Sequence, residues 1–142
     1  MLRAGVVDGT VDAVCSDHAP VDDDAKQLPF GESEPGATGL ELLLPLVLKW
    51  ATETQVALPV ALARVTSQPA AVLGIDAGSL RVGAPADVCV FDPDAPWRVT
   101  PQALRSQGKN TPFAGYELTG RVVCTLVAGE IAYESERMQK RR

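Results

Sequence analysis

Residues 11–41, VDAVCSDHAPVDDDAKQLPFGESEPGATGLE, constrain this chain more than any other stretch. An apolar run (Val11, Ala13, Val14, Cys15) stops at Ser16-Asp17-His18, a loop rich in Asp, Pro and Gly follows, and Gly39 opens an apolar helix. An apolar run with little polar alternation predicts a buried parallel strand over residues 11–15. Strand, polar cluster, long loop and helix in that order is how an α/β barrel delivers a catalytic residue at the C-terminal end of a strand. The cluster stands near the start of 142 residues, whereas a complete eightfold barrel takes roughly 250. The expectation is therefore the end of a barrel, with most of its strands lying outside this chain.

The remaining punctuation divides the chain in two. Residues 1–9 read as the end of a helix stopped by Gly9. Beyond the loop, Leu40, Leu43, Leu44, Val47, Leu48 and Ala51 recur at helical spacing, and Pro45 predicts a kink or a broken first turn. A second helix is expected over residues 59–67, and a third, short one from Pro69, closed by Gly74. From Asp76 the texture becomes β-like: residues 87–91, 97–99, 121–127 and 130–134 read as strands, the last two joined tightly at Ala128-Gly129. The fold class expected is α/β, with the last strand, loop and helices of a TIM-type barrel in residues 1–75 and a β-rich module, part of a small β-sandwich, in residues 76–142.

Composition excludes several functions. Net charge is −5 and the basic residues cluster only in residues 137–142, read as a frayed, solvated tail, which argues against a nucleic-acid partner. No apolar run approaches the roughly 18 residues of a membrane span. The three cysteines, Cys15, Cys89 and Cys124, fall in apolar runs without CxxC spacing, the pattern of buried, reduced thiols in a cytoplasmic protein.

The chemistry centres on Asp17. A carboxylate at a strand mouth can ligate a metal or move a proton between water and a leaving nitrogen; it can equally cap a helix or brace a loop. His18 is the only histidine, and one imidazole cannot make a zinc site that needs three or four protein ligands. The Asp22-Asp23-Asp24 run reads as a solvated rim, although a hard-cation site is conceivable. Neither a Ser-His-Asp arrangement nor a phosphate-binding loop can be assembled.

These residues carry a family resemblance. VDAVCSDHAP followed by PFGESEPGATGLELLLPL resembles the last barrel strand and following loop of dihydroorotases, cyclic amidohydrolases of pyrimidine biosynthesis. SQPAAVLGI and GSLRVGAPADVCVFDPDAPWRV are similar to the amidohydrolase passage from barrel to β-sandwich, and KNTPFAGYELTGRVVCTLVAGEIAY to its closing strands. The resemblance implies a zinc centre whose other ligands, histidines and a modified lysine, lie upstream of Met1. Asp17 would approach the metal and act as general base and acid in opening dihydroorotate to carbamoyl-aspartate. The backbone at Pro35 and Gly36 would contact the substrate ring. The family motif DHAPH departs here: its second histidine, which binds the substrate carboxylate, is replaced by Val21. That departure keeps open a non-catalytic scaffold of aspartate carbamoyltransferase, beside a hydantoinase-type or allantoinase-type ring hydrolase. With one barrel strand and no metal-ligand set, the isolated chain is expected to be inactive and to aggregate, form homo-oligomers or pair with a complementary N-terminal piece.

Overall fold

The computed structural model describes residues 1–139. Six α-helices and one three-stranded antiparallel sheet make up the regular structure among them, and no helix is long and apolar enough to cross a membrane. Helix α1 (Leu2–Asp8) ends where expected, because Gly9 adopts a left-handed φ of 89°. Helix α2 (Asp23–Lys26) is a single turn within the long loop. A 3-10 turn (Leu40–Leu42) leads into α3 (Leu43–Thr54), with Pro45 in the first turn of α3. This is the broken start that Pro45 predicts, since proline supplies no N–H to close an α-type bond.

Helix α4 (Leu58–Ala63) is shorter than expected and α5 (Ser67–Leu73) begins two residues earlier than Pro69. The boundary moves because the Thr66 hydroxyl donates to the Leu62 carbonyl at 2.7 Å, and its backbone leaves the helical region. Gly74, at φ 66°, closes α5 as expected.

Residues 11–15 do not form the expected parallel strand. The segment is irregular and is held by single bonds: Val11 N donates to the Gly5 carbonyl at 2.9 Å and Val14 N to the Arg64 carbonyl at 2.9 Å. A strand exists only as part of a ladder, and no described segment lies beside this one to form it. The same absence of a covering layer corrects the cysteines. Cys124 is buried, but Cys15 and Cys89, the latter on an edge strand, are exposed; all three are free thiols.

In the sheet, β1 (Val88–Arg98), β2 (Glu117–Val127) and β3 (Glu130–Glu134) lie in sequence order. The two runs expected at 87–91 and 97–99 are one strand, irregular between Asp92 and Pro96, where Pro93 and Pro96 supply no ladder donor. Ala128 and Gly129 take φ values of 49° and 87°, the two left-handed positions of a tight hairpin, and Val127 pairs with Glu130 across it. Helix α6 (Glu136–Gln139) follows; of the tail expected to fray over residues 137–142, residues 137–139 are helical instead and residues 140–142 lie outside the described residues.

Helix α3 packs across β2. Contact is close because Gly120 has no side chain there: a Cβ would lie 2.4 Å from Leu48 Cδ1 and 3.7 Å from Pro45 Cα. One core cluster, Leu42, Val99, Leu104 and Leu118, joins the helical and β-rich parts, with Leu46, Trp97 and Phe113 packed around it. A second, Val47, Ala51 and Ala61, lies between α3 and α4 and gathers Val14 and Trp50. Leu58 and Val60 on α4, and Val72 and Leu73 on α5, remain exposed.

Two measurements check this architecture. Leu42 has no solvent exposure, so Leu42→Ala should cost about 2–5 kcal/mol in urea unfolding; a loss below about 1 kcal/mol would mean that the joining cluster is not closed. Thiol titration should count two reactive cysteines in the native chain and the third, Cys124, only after unfolding. Partial desolvation against the sheet pushes the Cys89 thiol above its ordinary value even though the residue as a whole is exposed, against a hydrogen bond from Thr125 that lowers it, so its reaction should accelerate with rising pH through the alkaline range. Three fast thiols in the native chain would contradict the buried position of Cys124.

Candidate active site

The candidate site is built on the neck of the long loop. Three sets of contacts close that neck. His18 Nδ1 accepts hydrogen bonds from the backbone N–H groups of Gly39 and Leu40, both at 3.1 Å. Ala19 N donates to the Ala37 carbonyl at 3.0 Å. Gly39 passes so close to Ser16 that an added Cβ would stand 2.6 Å from the Ser16 carbonyl oxygen. Residues 19–37 are thereby a loop whose ends meet, a compact form common at functional sites.

Asp17 sits at this neck with φ 45°, a left-handed backbone that a non-glycine residue adopts at some cost, although Asp tolerates it better than most. Its side chain is exposed, and no hydrogen bond to its carboxylate occurs among the described residues. Upstream it is anchored through Arg64, 5% exposed, whose Nη1 donates to the Val11 carbonyl at 3.2 Å and to Gln68 Oε1 at 2.7 Å. Asp8 lies at the start of this anchor; the Thr10 hydroxyl and N–H, and secondarily the Arg64 charge, hold its carboxyl below the usual carboxylate range.

Of the positions singled out in the sequence, Val21 and Gly36 come together. A Cβ added at Gly36 would lie 3.0 Å from Val21 Cγ2 and 2.5 Å from the Ala19 carbonyl oxygen. Gly36 also has φ 125°, so the glycine is required by the loop's own backbone as well as by any approaching ligand. Pro35 is exposed beside it, and Val21 is half-buried. Asp22, Asp23 and Asp24 are exposed around the start of α2, a solvated rim. Lys26 Nζ binds the Glu34 carbonyl and so ties the loop's two arms.

What lies behind the loop has no geometric signal in the order of residues. A turn from the β-rich part, residues 108–110, lies against both arms. Thr38, 1% exposed, donates through its hydroxyl to the Gly108 carbonyl at 2.6 Å and through its N–H to the Asn110 carbonyl at 2.7 Å. Asn110 Nδ2 donates to the Gly36 carbonyl at 3.2 Å. On the other arm Gly108 abuts Pro20 and Val21, where an added Cβ would meet Pro20 Cβ and the Val21 carbonyl oxygen at 2.9 Å. Nearby, Glu41 Oε1 accepts from the N–H groups of Arg105 at 2.8 Å and Ser106 at 2.6 Å, and from the Ser106 hydroxyl at 2.8 Å. The only available signal was the NTPF run itself.

These residues do not fit a metal centre by themselves. No group of three or more His, Cys, Asp or Glu that could hold a metal ion occurs among the described residues. His18 Nδ1 is already committed to two backbone donors, and an imidazole accepting there keeps its neutral-state proton on Nε2. Asp17 supplies a single carboxylate.

Residues 48–133 match the model of the amidohydrolase family. The chain is 44% identical over 132 residues to a dihydroorotase of Syntrophotalea carbinolica, covering 93% of this chain and 31% of that relative. A dihydroorotase-like protein of Pseudomonas putida is 44% identical over 135 residues, covering 95% of this chain and 32% of that relative. The chain thus spans about a third of the length of the curated relatives it matches. Among solved structures, the L-hydantoinase (dihydropyrimidinase) of Arthrobacter aurescens superposes with a TM-score of 0.83 at 29% identity, over 94% of this chain and 31% of that one. The dihydropyrimidinase of Brevibacillus agri has a TM-score of 0.87 at 21% identity over 94% of this chain and 30% of that one, a likeness of fold alone. With a family match over more than half its residues and the same fold in solved cyclic amidohydrolases, the chain belongs to the amidohydrolase family.

Proposed function

We propose that this chain is the part of a dihydroorotase-like cyclic amide hydrolase that carries the proton-transferring carboxylate and the ring-contact loop. In this reading residues 1–75 are the end of a barrel and residues 76–142 a β-rich module, of which the described residues hold a single three-stranded sheet and not the two layers of a sandwich. The observation that carries this reading is Asp17, exposed and unpartnered on left-handed backbone at a loop neck closed from three sides. A carboxylate that only braced a loop would be hydrogen-bonded to it.

In this reading, Asp17 takes a proton from the attacking water as its oxygen bonds to the ring carbonyl carbon of dihydroorotate. The ring C–N bond then breaks, Asp17 returns the proton to the departing nitrogen, and carbamoyl-aspartate leaves. The main chain at Pro35 and Gly36, with Val21 beside it, lines the ring. The zinc expected of the family lacks a ligand set in the described residues, so Asp17 would be one contributor to a centre completed by other residues. The reading includes a small-molecule substrate, a cytoplasmic setting and a homo-oligomer or a complementary barrel piece as partner.

Val21 favours a second reading, a non-catalytic scaffold bound to aspartate carbamoyltransferase. An isopropyl group neither donates a hydrogen bond nor carries charge, so it cannot pair with a substrate carboxylate as the family's histidine does. Co-purification with that enzyme, together with inactivity of a complete protein carrying Val21, would favour the scaffold.

The hydrolase reading is tested by joining this chain to the N-terminal two-thirds of the Syntrophotalea carbinolica dihydroorotase. The chimera should hydrolyse dihydroorotate, Asp17→Asn should lower kcat by about 10²–10⁴, and Val21→His should lower KM. Hydantoin or dihydrouracil turned over in place of dihydroorotate would move the assignment to a hydantoinase-type hydrolase. The chain alone, given zinc, should show no enzyme-like turnover. His18→Ala should cost about 1 kcal/mol in unfolding through loss of the neck contacts, while leaving the zinc content of the chimera unchanged; a lowered zinc content would make His18 a ligand.

A further inference from the structure

The β-rich part touches the long loop at Gly36 and Val21, the positions read above as lining the ring. Gly36 would present its backbone to the substrate, and its carbonyl oxygen accepts the Asn110 side-chain amide at 3.2 Å. Two residues on, the Thr38 N–H is fixed by the Asn110 carbonyl at 2.7 Å, so one asparagine holds the chain through both its side chain and its main chain. Gly108 in the same turn fills the space behind Pro20 and Val21, with no room for a Cβ. The turn therefore sets the separation of the two arms, and with it the distance between Val21 and Gly36.

We propose that Asn110 is a positioning residue for the ring-contact loop: its amide donor fixes the Gly36 peptide, and the Gly108–Asn110 turn fixes the width of the slot between Gly36 and Val21. The donor is essential to this role. The Gly36 peptide takes a φ of 125° that the chain leaves readily once released, and a reoriented peptide would present a different edge to the ring. The functional half of the proposal rests on the reading of residues 21, 35 and 36 as the ring wall; the clamp itself stands on the hydrogen bonds.

The test uses the full chain with isotope labelling and two variants. Asn110→Ala removes the amide, and Asn110→Asp keeps its size while an ionised carboxylate can only accept. In both, amide exchange at Ala19, whose N–H is bonded to Ala37 next to Gly36, should quicken about tenfold, the scale of one hydrogen bond. The Val99 amide, bonded to the Tyr116 carbonyl at 2.9 Å within the joined core, should keep its rate. Dihydroorotate titrated into the unsubstituted chain should shift the Gly36 and Val21 amide resonances, and both variants should weaken that binding about tenfold, again one hydrogen bond, at temperatures well below unfolding. Unchanged exchange at Ala19, or an Asp variant that behaves like the unsubstituted chain, would overturn the clamp. Faster exchange with undiminished binding would overturn the positioning role. An unsubstituted chain whose Gly36 and Val21 resonances ignore dihydroorotate would overturn the ring-wall reading, and the positioning role with it, even where the exchange result holds.

Discussion

Thr38 is buried between two carbonyls of a turn some seventy residues away in sequence, and much of the molecule depends on that arrangement. A buried hydroxyl and a buried N–H each cost free energy unless paired, and both are paired by the Gly108–Asn110 turn. The contact brings the β-rich part against the start of the long helix, where Leu42, Val99, Leu104 and Leu118 close into one core. Glu41, between Thr38 and Leu42 on one side and the Arg105-Ser106 turn on the other, adds a charge-assisted set of bonds to the same seam. Helix, loop neck and sheet are thus registered by one seam rather than by independent packing.

Local chemistry in the sequence was enough wherever a residue's own backbone preference decided the outcome. Gly9 and Gly74 end their helices, Ala128-Gly129 turns the hairpin, and Pro45 breaks the first turn of its helix, each for the reason that makes it recognisable in a sequence. The failures share a different cause. Residues 11–15 have the composition of a buried strand, but composition cannot supply the neighbouring strands that make a ladder. Cys15 and Cys89 look buried for the same reason, because an apolar run implies burial only where another layer arrives to cover it. At the candidate site, Asp17 and the glycines of the loop were legible from their types and order. The roles of Arg64, Gly108 and Asn110 were not, since each acts across more than forty residues of sequence, a distance at which no periodicity or turn rule operates.

Chemically, the chain offers one exposed carboxylate, that of Asp17, at the neck of a loop braced from behind, and little else at the same place. His18 is spent on the loop neck. The acidic residues of the loop point outward as a rim. The division of labour in the hydrolase reading follows from this: proton transfer and ring orientation belong to these residues, and the electrophilic assistance of a metal belongs to ligands elsewhere. Under the same reading, Val21 departs from the family pattern where a substrate's charge would have to be met.

The closed neck of the loop has a consequence for how such a site can change. Because Ser16 and Gly39 meet backbone to backbone, and His18 seals the junction, the residues beyond Ala19 and before Ala37 hang from a fixed bracket. Lengthening, shortening or recolouring that stretch leaves the bracket's geometry untouched, and with it the placement of the carboxylate. The loop is in this sense an exchangeable cassette: under the hydrolase reading, new ring preferences can be drafted into it by descent or by an engineer while Asp17 stays where it was.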